Sequence, residues 1–569
     1  MTSVALGPQY REQTLRGLAD SEFDVLVVGG GIVGAGAALD AVSRGLSVAL
    51  VEAQDWAAGT SGRSSKLIHG GLRYLEQRDF GLVREALRER GLLLHRLAPH
   101  LVRPVRFLYP LRGRVWERAY VSAGVALYDS MGGAHALPRH RQLTRRGALR
   151  EAPALRPDAL VGAIQYYDAQ VDDARYTMMV ARTAAQYGAK VAARAEMTGL
   201  LREGERVTGA RVLDLEGGRE ITVRARRVVC ATGVWTDGAQ AMTGSRAAFG
   251  VRASKGVHLV VPRDRIPMDT GLITRTSRSV LFIIPWGRHW LVGTTDTPHD
   301  DDPGQCLETA PRTPRTCPRE PAADHTDIGY LLDEVNDVLR TPLTHDDIEG
   351  VYAGLRPLLS GETDDTTRLS REHTVAEPVP GMIVVTGGKF TTYRVMARDA
   401  VDLVAEGLDD AVPASVTGRL PILGAVGFEV LWNERRRIAL ESGLHVARVE
   451  HLLRRYGSCA REVLGLVAED PALGAPLPGA GDYLCAEAVY AVTHEGALHL
   501  EDVLARRLRV SIEEWDGGAA AAPRVAELLA PRLGWGREEI ADEIERYAAR
   551  IRAERSGGPA VREAPVPAT

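Results

Sequence analysis

The sequence predicts an α/β protein. A doubly wound, Rossmann-like dinucleotide-binding domain carries an inserted β-rich substrate domain and is followed by a helical C-terminal domain. Three observations predict this. A strand–turn–helix–strand unit with a glycine-rich turn opens the chain. Two further apolar strands ending in small residues lie far downstream, at Val228–Gly233 and Met382–Gly388. After about residue 411 the pattern changes to helix-like stretches separated by Gly and Pro.

The opening unit is the most specific of these. Phe23-Asp24-Val25-Leu26-Val27-Val28 is a near-continuous apolar run, as expected of a strand buried on both faces of a parallel sheet. Gly29-Gly30-Gly31-Ile32-Val33-Gly34 follows, then an alanine-rich helical stretch to Ser43, a break at Gly45, and a second strand, Leu46–Glu52. A lone G-x-G-x-x-G is weak evidence. Between a strand and a helix, with an acidic residue about 20 positions on, it is the dinucleotide fingerprint. Gly29 permits the tight turn, Gly31 lets the backbone approach a pyrophosphate, and Gly34 lets helix and strand pack closely. The helix N-terminus offers N–H groups and partial positive charge to the phosphates. Glu52 can accept from both ribose hydroxyls, which argues against a 2′-phosphate.

The strand ending Cys230-Ala231-Thr232-Gly233 and the strand Met382–Thr386, followed by Gly387-Gly388-Lys389 and a helix over 391–408, belong to the same sheet edge, where doubly wound folds bind ligands. No second full G-x-G-x-x-G occurs, so one fingerprint with late glycine-rich strand ends fits FAD better than NAD. Between them, Val257–Val261 and Val280–Ile284 read as strands of a substrate-binding sheet. The expected organisation is a flexible, dispensable N-terminal extension at 1–20 and an oxidoreductase region at 21–410. Within it, dinucleotide-binding pieces fall at about 21–100, 155–240 and 375–410, and substrate-domain pieces at about 101–154 and 241–374. A helical domain at 411–555 and a flexible tail at 556–569 complete the chain. Pro303–Asp324, rich in Pro, Thr, Arg and Asp, reads as an outward loop insertion.

Composition excludes other classes. The 569 residues carry 70 basic and 74 acidic side chains, a net charge of −4, without the basic excess of a nucleic-acid binder. Five cysteines with no C-x-x-C spacing support neither a disulfide scaffold nor a zinc or redox motif, and no metal site is expected. No apolar run reaches the roughly 18 residues that suggest a spanning helix, and the first residues lack a signal-peptide pattern. Only four of the 70 basic residues are lysines: Lys66, Lys190, Lys255 and Lys389. Ammonium and guanidinium are not interchangeable, so lysines retained in so arginine-rich a chain draw attention.

Gly59-Thr60-Ser61-Gly62-Arg63-Ser64-Ser65-Lys66-Leu67-Ile68-His69-Gly70-Gly71-Leu72-Arg73-Tyr74-Leu75-Glu76 resembles the signature of the aerobic FAD-dependent glycerol-3-phosphate dehydrogenase family. Ser254-Lys255-Gly256-Val257-His258, Ile284-Pro285-Trp286, Gly293-Thr294-Thr295-Asp296, Gly354-Leu355-Arg356-Pro357-Leu358, Ser370-Arg371 and Gly387-Gly388-Lys389-Phe390-Thr391-Thr392-Tyr393-Arg394 match in order. The likeness runs from about 22 to 400 and continues more weakly through His494-Glu495 and Asp502–Arg507. Three of the four lysines fall inside these motifs.

The resemblance implies oxidation of sn-glycerol 3-phosphate to dihydroxyacetone phosphate by hydride transfer from C2 to flavin N5. Electrons would pass to membrane quinone, from a cytoplasmic protein attached peripherally to the inner face of the cytoplasmic membrane. Catalysis is assigned to His69, Arg356 and Lys389, with His69 the first candidate for base and His258 the second. Arg73, Tyr74, His258 and Arg371 are assigned to substrate binding, where planar guanidinium forks suit a phosphate. Cofactor contacts are expected from Gly29, Gly31, Gly34, Glu52, Thr60, Ser61, Ser65, Lys66, Ala231, Gly233, Gly388 and Thr391. Arg112–Arg118, basic with one tryptophan, is a candidate lipid contact. The helical domain is a candidate for homodimerisation or partner docking. Three alternatives stand beside this: an oxidase passing electrons to oxygen and making hydrogen peroxide, an amine or amino-acid oxidase of the same flavoprotein superfamily, and a non-catalytic flavin-binding sensor. The cluster of arginines and Lys389 speaks against the last two.

Overall fold

The computed structural model describes residues 3–71, 79–113, 116–131, 137–245, 247–276, 280–299, 321–360 and 373–557. Arg73, Tyr74 and Arg371, and most of the 303–324 segment and of the C-terminal tail, lie outside them.

The strand Glu22–Val28 forms as its apolar run requires, at the centre of an eight-stranded sheet. Its main path runs His373–Val379, Met382–Gly387, Glu220–Cys230, Glu22–Val28, Val48–Glu52, Lys190–Ala193. All neighbours are parallel except the edge strand His373–Val379. Val228 pairs with both Leu26 and Met382, so the glycines after Val28, Cys230 and Thr386 come to one carboxyl edge, as the sequence predicts. Helices Ile32–Ser43, Asp173–Gln186 and Tyr393–Glu406 pack together beside this sheet around a common apolar core. Gly36 permits the close approach, since a Cβ there would lie 2.8 Å from the Tyr393 ring.

The second sheet has ten strands. Val251–Pro262 pairs antiparallel with Gly350–Leu359, setting His258 opposite Tyr352 and Ser254 opposite Arg356. Gly162–Gln170 also belongs here, fully paired with Arg103–Leu111. The expected dinucleotide-binding piece starting at 155 is therefore corrected: the chain returns to the first domain only at about Asp172. The alternation that separates a substrate strand from a dinucleotide strand is weak in Gly162–Gln170, which is buried over almost its whole length.

The first 20 residues correct another expectation. Pro8–Asp20 is a helix whose Leu15 and Leu18 are fully buried, and Arg11 pairs with Asp214 at 2.6 Å. Leu6 N donates to the His494 carbonyl at 3.1 Å. This segment therefore ties the first domain to the helical one and is not a loose extension.

The C-terminal part is helical as expected, with its own apolar core. Gly457, φ +58°, divides its helices Val446–Tyr456 and Ala460–Glu469. Arg509, φ +68°, separates Asp502–Arg507 from Val510–Glu513 in the same way. Among the described residues no helix is long and apolar enough to cross a membrane.

Candidate active site

One cavity of about 1820 Å³ runs along the carboxyl edge of the first sheet and under the second. Single small-molecule sites are typically about 300–1,000 Å³, so this volume suits a dinucleotide with a substrate beside it.

The fingerprint forms one end. Gly31 is the N-cap of helix Ile32–Ser43. Gly29 has φ +110°, and a Cβ there would lie 2.5 Å from the Ala231 carbonyl oxygen. Gly29, Gly31 and Ala231 line the cavity; Gly34 does not, and a Cβ on it would overlap the Gly29 carbonyl. Gly34 thus acts by packing, the third-glycine role in the fingerprint. Ser61 Oγ accepts from Ile32 N at 2.9 Å, which sets this hydroxyl at the helix N-terminus. Glu52 accepts from Gly30 N at 2.5 Å and Gln54 N at 2.7 Å while facing the cavity. Burial raises its carboxyl above the usual range, and those two N–H donors offset part of the effect. Thr60, Ser65, Gly233, Gly388 and Thr391 complete the expected cofactor lining. Thr232 Oγ1, on the same wall, is buried with no hydrogen-bond partner among the described residues. The glycine cradle, helix N-terminus, acidic strand end and unpartnered hydroxyl fit FAD.

Lys66 does not contact this space. Its Nζ is fully buried, 3.0 Å from Asp173 Oδ1, over the Tyr352 ring at 4.8 Å. It braces the loop from behind, a correction to its expected cofactor contact. Lys255 is also structural, paired with Asp324 and Asp327.

At the other end the second sheet delivers His258, Arg356 and, just after its strand Leu67–Ile68, His69, and the end of Met382–Gly387 in the first delivers Lys389 and Thr391. Arg356 is aimed by its neighbours: Nη2 donates to Thr294 Oγ1 at 2.9 Å and to the Thr295 carbonyl at 3.0 Å. Gly256 leaves the space it occupies, since a Cβ there would collide with the guanidinium. His258 stacks on Tyr352, centroids 4.8 Å apart and planes within 7°, and its Nε2 lies 2.9 Å from Ser65 Oγ. Burial, then the Arg356 and Lys66 cations, holds the His258 imidazole well below its usual range, so it is neutral near pH 7. The backbone of His69 is gripped by Thr391, whose hydroxyl lies 3.1 Å from His69 N.

Sequence reasoning missed the helical domain's share of this cavity. His499, Glu501, Tyr547, Arg550 and Glu554 line it, and Arg63 pairs with Glu554 at 3.2 Å. Nothing local marks residues that reach a site from so far along the chain. Thr294 and Thr295, by contrast, sat in a motif already singled out.

His499 bridges two domains, with Nε2 2.9 Å from Glu216 and Nδ1 2.9 Å from Glu543. Although burial opposes charge, bonds to these carboxylates raise its pKa from 6.5 to about 9. A raised folded pKa means stabilisation complete below the unfolded value and lost as pH rises through the folded one. His499→Ala is therefore expected to lower the thermal midpoint most at pH 6 and hardly at pH 10, measured by scanning calorimetry. An equal loss at both pH values would contradict the charged bridge.

Comparisons with known proteins agree with this geometry. Residues 24–403 match the family described as FAD dependent oxidoreductase, and 415–540 match the C-terminal domain of alpha-glycerophosphate oxidase. Glycerol-3-phosphate dehydrogenase of Mycobacterium leprae is 56% identical over 97% of this chain and 92% of its own length. The human mitochondrial glycerol-3-phosphate dehydrogenase is 36% identical over 95% of this chain and 74% of its own. The crystal structure of glycerol-3-phosphate dehydrogenase from Bacillus halodurans, complexed with FAD, superposes with a TM-score of 0.78 at 27% identity, covering 96% of this chain and 98% of that one. With the fingerprint and the arginine-lined cavity in place, these likenesses settle the assignment: the chain belongs to the FAD-dependent glycerol-3-phosphate dehydrogenase family.

Proposed function

We propose that this chain oxidises sn-glycerol 3-phosphate to dihydroxyacetone phosphate with FAD and passes the electrons to a membrane quinone. The observation that carries this reading is the convergence of Arg356, Lys389, His69 and His258 on the cavity that begins at the dinucleotide fingerprint. FAD, when bound, supplies the hydride acceptor.

The chain's own groups do the rest. Arg356, held by Thr294 and Thr295, offers its fork to the substrate dianion; Arg73, Tyr74 and Arg371 are proposed to complete that contact. Lys389 adds positive charge at the sheet end, where negative charge develops during oxidation. His69 takes the proton from the C2 hydroxyl. His258, kept neutral and fixed by Ser65 and Tyr352, orients the substrate and is the alternative acceptor. Delivery to a quinone requires a membrane surface, so we infer peripheral attachment at the inner face of the cytoplasmic membrane, as a homodimer. Tyr120 and Leu127, exposed on the helix that follows the basic 112–118 segment, support this contact.

The test is anaerobic titration of the FAD-loaded protein with sn-glycerol 3-phosphate, following the flavin absorbance. Stoichiometric bleaching is expected; none would overturn the substrate assignment. Reoxidation by a quinone analogue but not by air supports the dehydrogenase, and fast reoxidation by air with peroxide formation indicates an oxidase. In the same assay His69→Ala should retain FAD and bleach about 10²–10⁴-fold more slowly. An unchanged rate would move the base role to His258.

A further inference from the structure

We propose that Arg509, in the helical C-terminal domain, is a positioning residue for the oxidation. It holds Asp173, and through it the Gly62–Lys66 turn that presents Ser65 to His258 at the cavity. This rests on the reading of that cavity as the oxidation site.

Arg509 sits at φ +68°, the left-handed region that disfavours any residue with a side chain. Such a conformation persists when its surroundings over-determine it. Here the guanidinium is 4% exposed and fully engaged. Nε donates to Asp172 Oδ1 at 3.0 Å, Nη1 to the Gly62 carbonyl at 3.1 Å, and Nη2 to Asp173 Oδ1. One side chain from the C-terminal domain thus grips both the helix start at Asp172–Asp173 and the turn itself.

Asp173 passes the constraint on. Its Oδ2 accepts from Ser64 N at 2.8 Å and Ser64 Oγ at 2.7 Å, and its Oδ1 from Lys66 Nζ at 3.0 Å. Lys66, with φ +57°, is the second strained residue of this lock. Tyr352 closes it: its hydroxyl donates to the Ser64 carbonyl at 3.0 Å while its ring stacks on His258. Ser65, between these fixed neighbours, meets His258 Nε2 at 2.9 Å. The links lie in a buried, low-dielectric place, where loss of one charge leaves its partner uncompensated. With Arg509 gone, Lys66 alone opposes the buried Asp173 carboxylate, and the Gly62 carbonyl loses its donor. The turn then has room to shift, and a displacement of about 1 Å at a reacting centre can cost about 10²-fold in rate.

A residue that merely glued two domains would lower stability and leave the chemistry intact. Arg175 supplies that control. It pairs with Glu495 at 2.7 Å across the same interface but does not touch the turn. The experiment compares FAD-loaded wild type, Arg509→Met, Arg509→Lys, Ser64→Ala and Arg175→Met, at a temperature where each is folded with full flavin content. Readouts are kcat, KM and the visible circular dichroism of the bound flavin. Arg509→Met should lose about 10–10²-fold in kcat and change the flavin dichroism. Arg509→Lys should recover part of both, and Ser64→Ala should show the same changes more weakly. Arg175→Met should lose thermal stability with kcat and dichroism close to wild type. If Arg509→Met keeps wild-type kcat and dichroism, or if Arg175→Met loses activity in parallel, the positioning role is wrong. Should Arg509→Met not fold, Arg509→Lys and Ser64→Ala decide by the same criteria. The dichroism needs no substrate, so it tests the lock even if the glycerol 3-phosphate assignment fails.

Discussion

Arg356→Ala is expected to lower kcat/KM for glycerol 3-phosphate by about 10²–10³-fold, the scale for removing a preorganised donor from a developing or fixed anion. Preorganisation is visible in the structure. The guanidinium is set by Thr294 and Thr295 at 2.9 and 3.0 Å, with the Asp296 carboxylate 3.5 Å from Nη1. Its fork is fixed in place before any anion arrives, the arrangement a dianion needs. The side chain is 21% exposed and its partners Ser254 and Thr295 are buried, so its removal also costs some stability. At a temperature where the variant is folded with full flavin content, steady-state kinetics should still collapse. Arg356→Lys should restore charge without the fork and recover only part of the loss. Unchanged kcat and KM in Arg356→Ala would remove this residue from the site.

What could be read in the sequence follows from how each feature is encoded. The parallel strands announce themselves because burial on both faces demands unbroken apolar runs, and Glu22–Val28 and Met382–Gly387 lie within one or two residues of expectation. Gly29, Gly31 and Gly34 were legible because each answers to a separate steric demand of one short turn. Arg356 and His258 were found through motifs, and strand pairing then explains their meeting: Ser254 faces Arg356 and His258 faces Tyr352 in one register. Lys66 was half legible. Its motif marked it as special, but a side chain on a loop points inward or outward with no periodicity to decide which. Here it points away from the cavity, into Asp173. The helix Pro8–Asp20 was missed because only a few of its residues are buried and its polar face reads as solvated. Least legible was the helical domain's grip on the site. Asp55 and Arg507 are 452 positions apart, and an ion pair over such a span leaves no local pattern.

That same pair carries the largest expected effect on stability. Asp55 is 1% exposed and accepts from Arg506 Nε at 2.5 Å and from Arg507 at 2.7 and 2.8 Å. The helical domain keeps an apolar core largely its own, so its seam with the first domain relies on charge to an unusual degree. Beside Asp55 stand Arg175 with Glu495, Arg194 with Glu501 and Asp502, and Arg509 with Asp172 and Asp173. Desolvating so many charges is costly, and the cost is met only while every partner is present. Asp55→Ala takes the carboxylate from buried Arg507, while Arg506 keeps Glu501 and Asp502, a loss of about 3–5 kcal/mol. Because the helical domain can hold its own core, that energy should appear first as opening of the seam. Proteolysis in the 411–427 connection is the measurement, since cleavage follows the population of the open form when closing is fast. The variant should be cut about 10²–10³-fold faster than wild type. FAD should also leave it faster, because Glu501, Arg550 and Glu554 of the opened domain wall the cofactor cavity. Cleavage and FAD release at wild-type rates would mean that the seam is held by its apolar contacts, and that the charges serve only to align it.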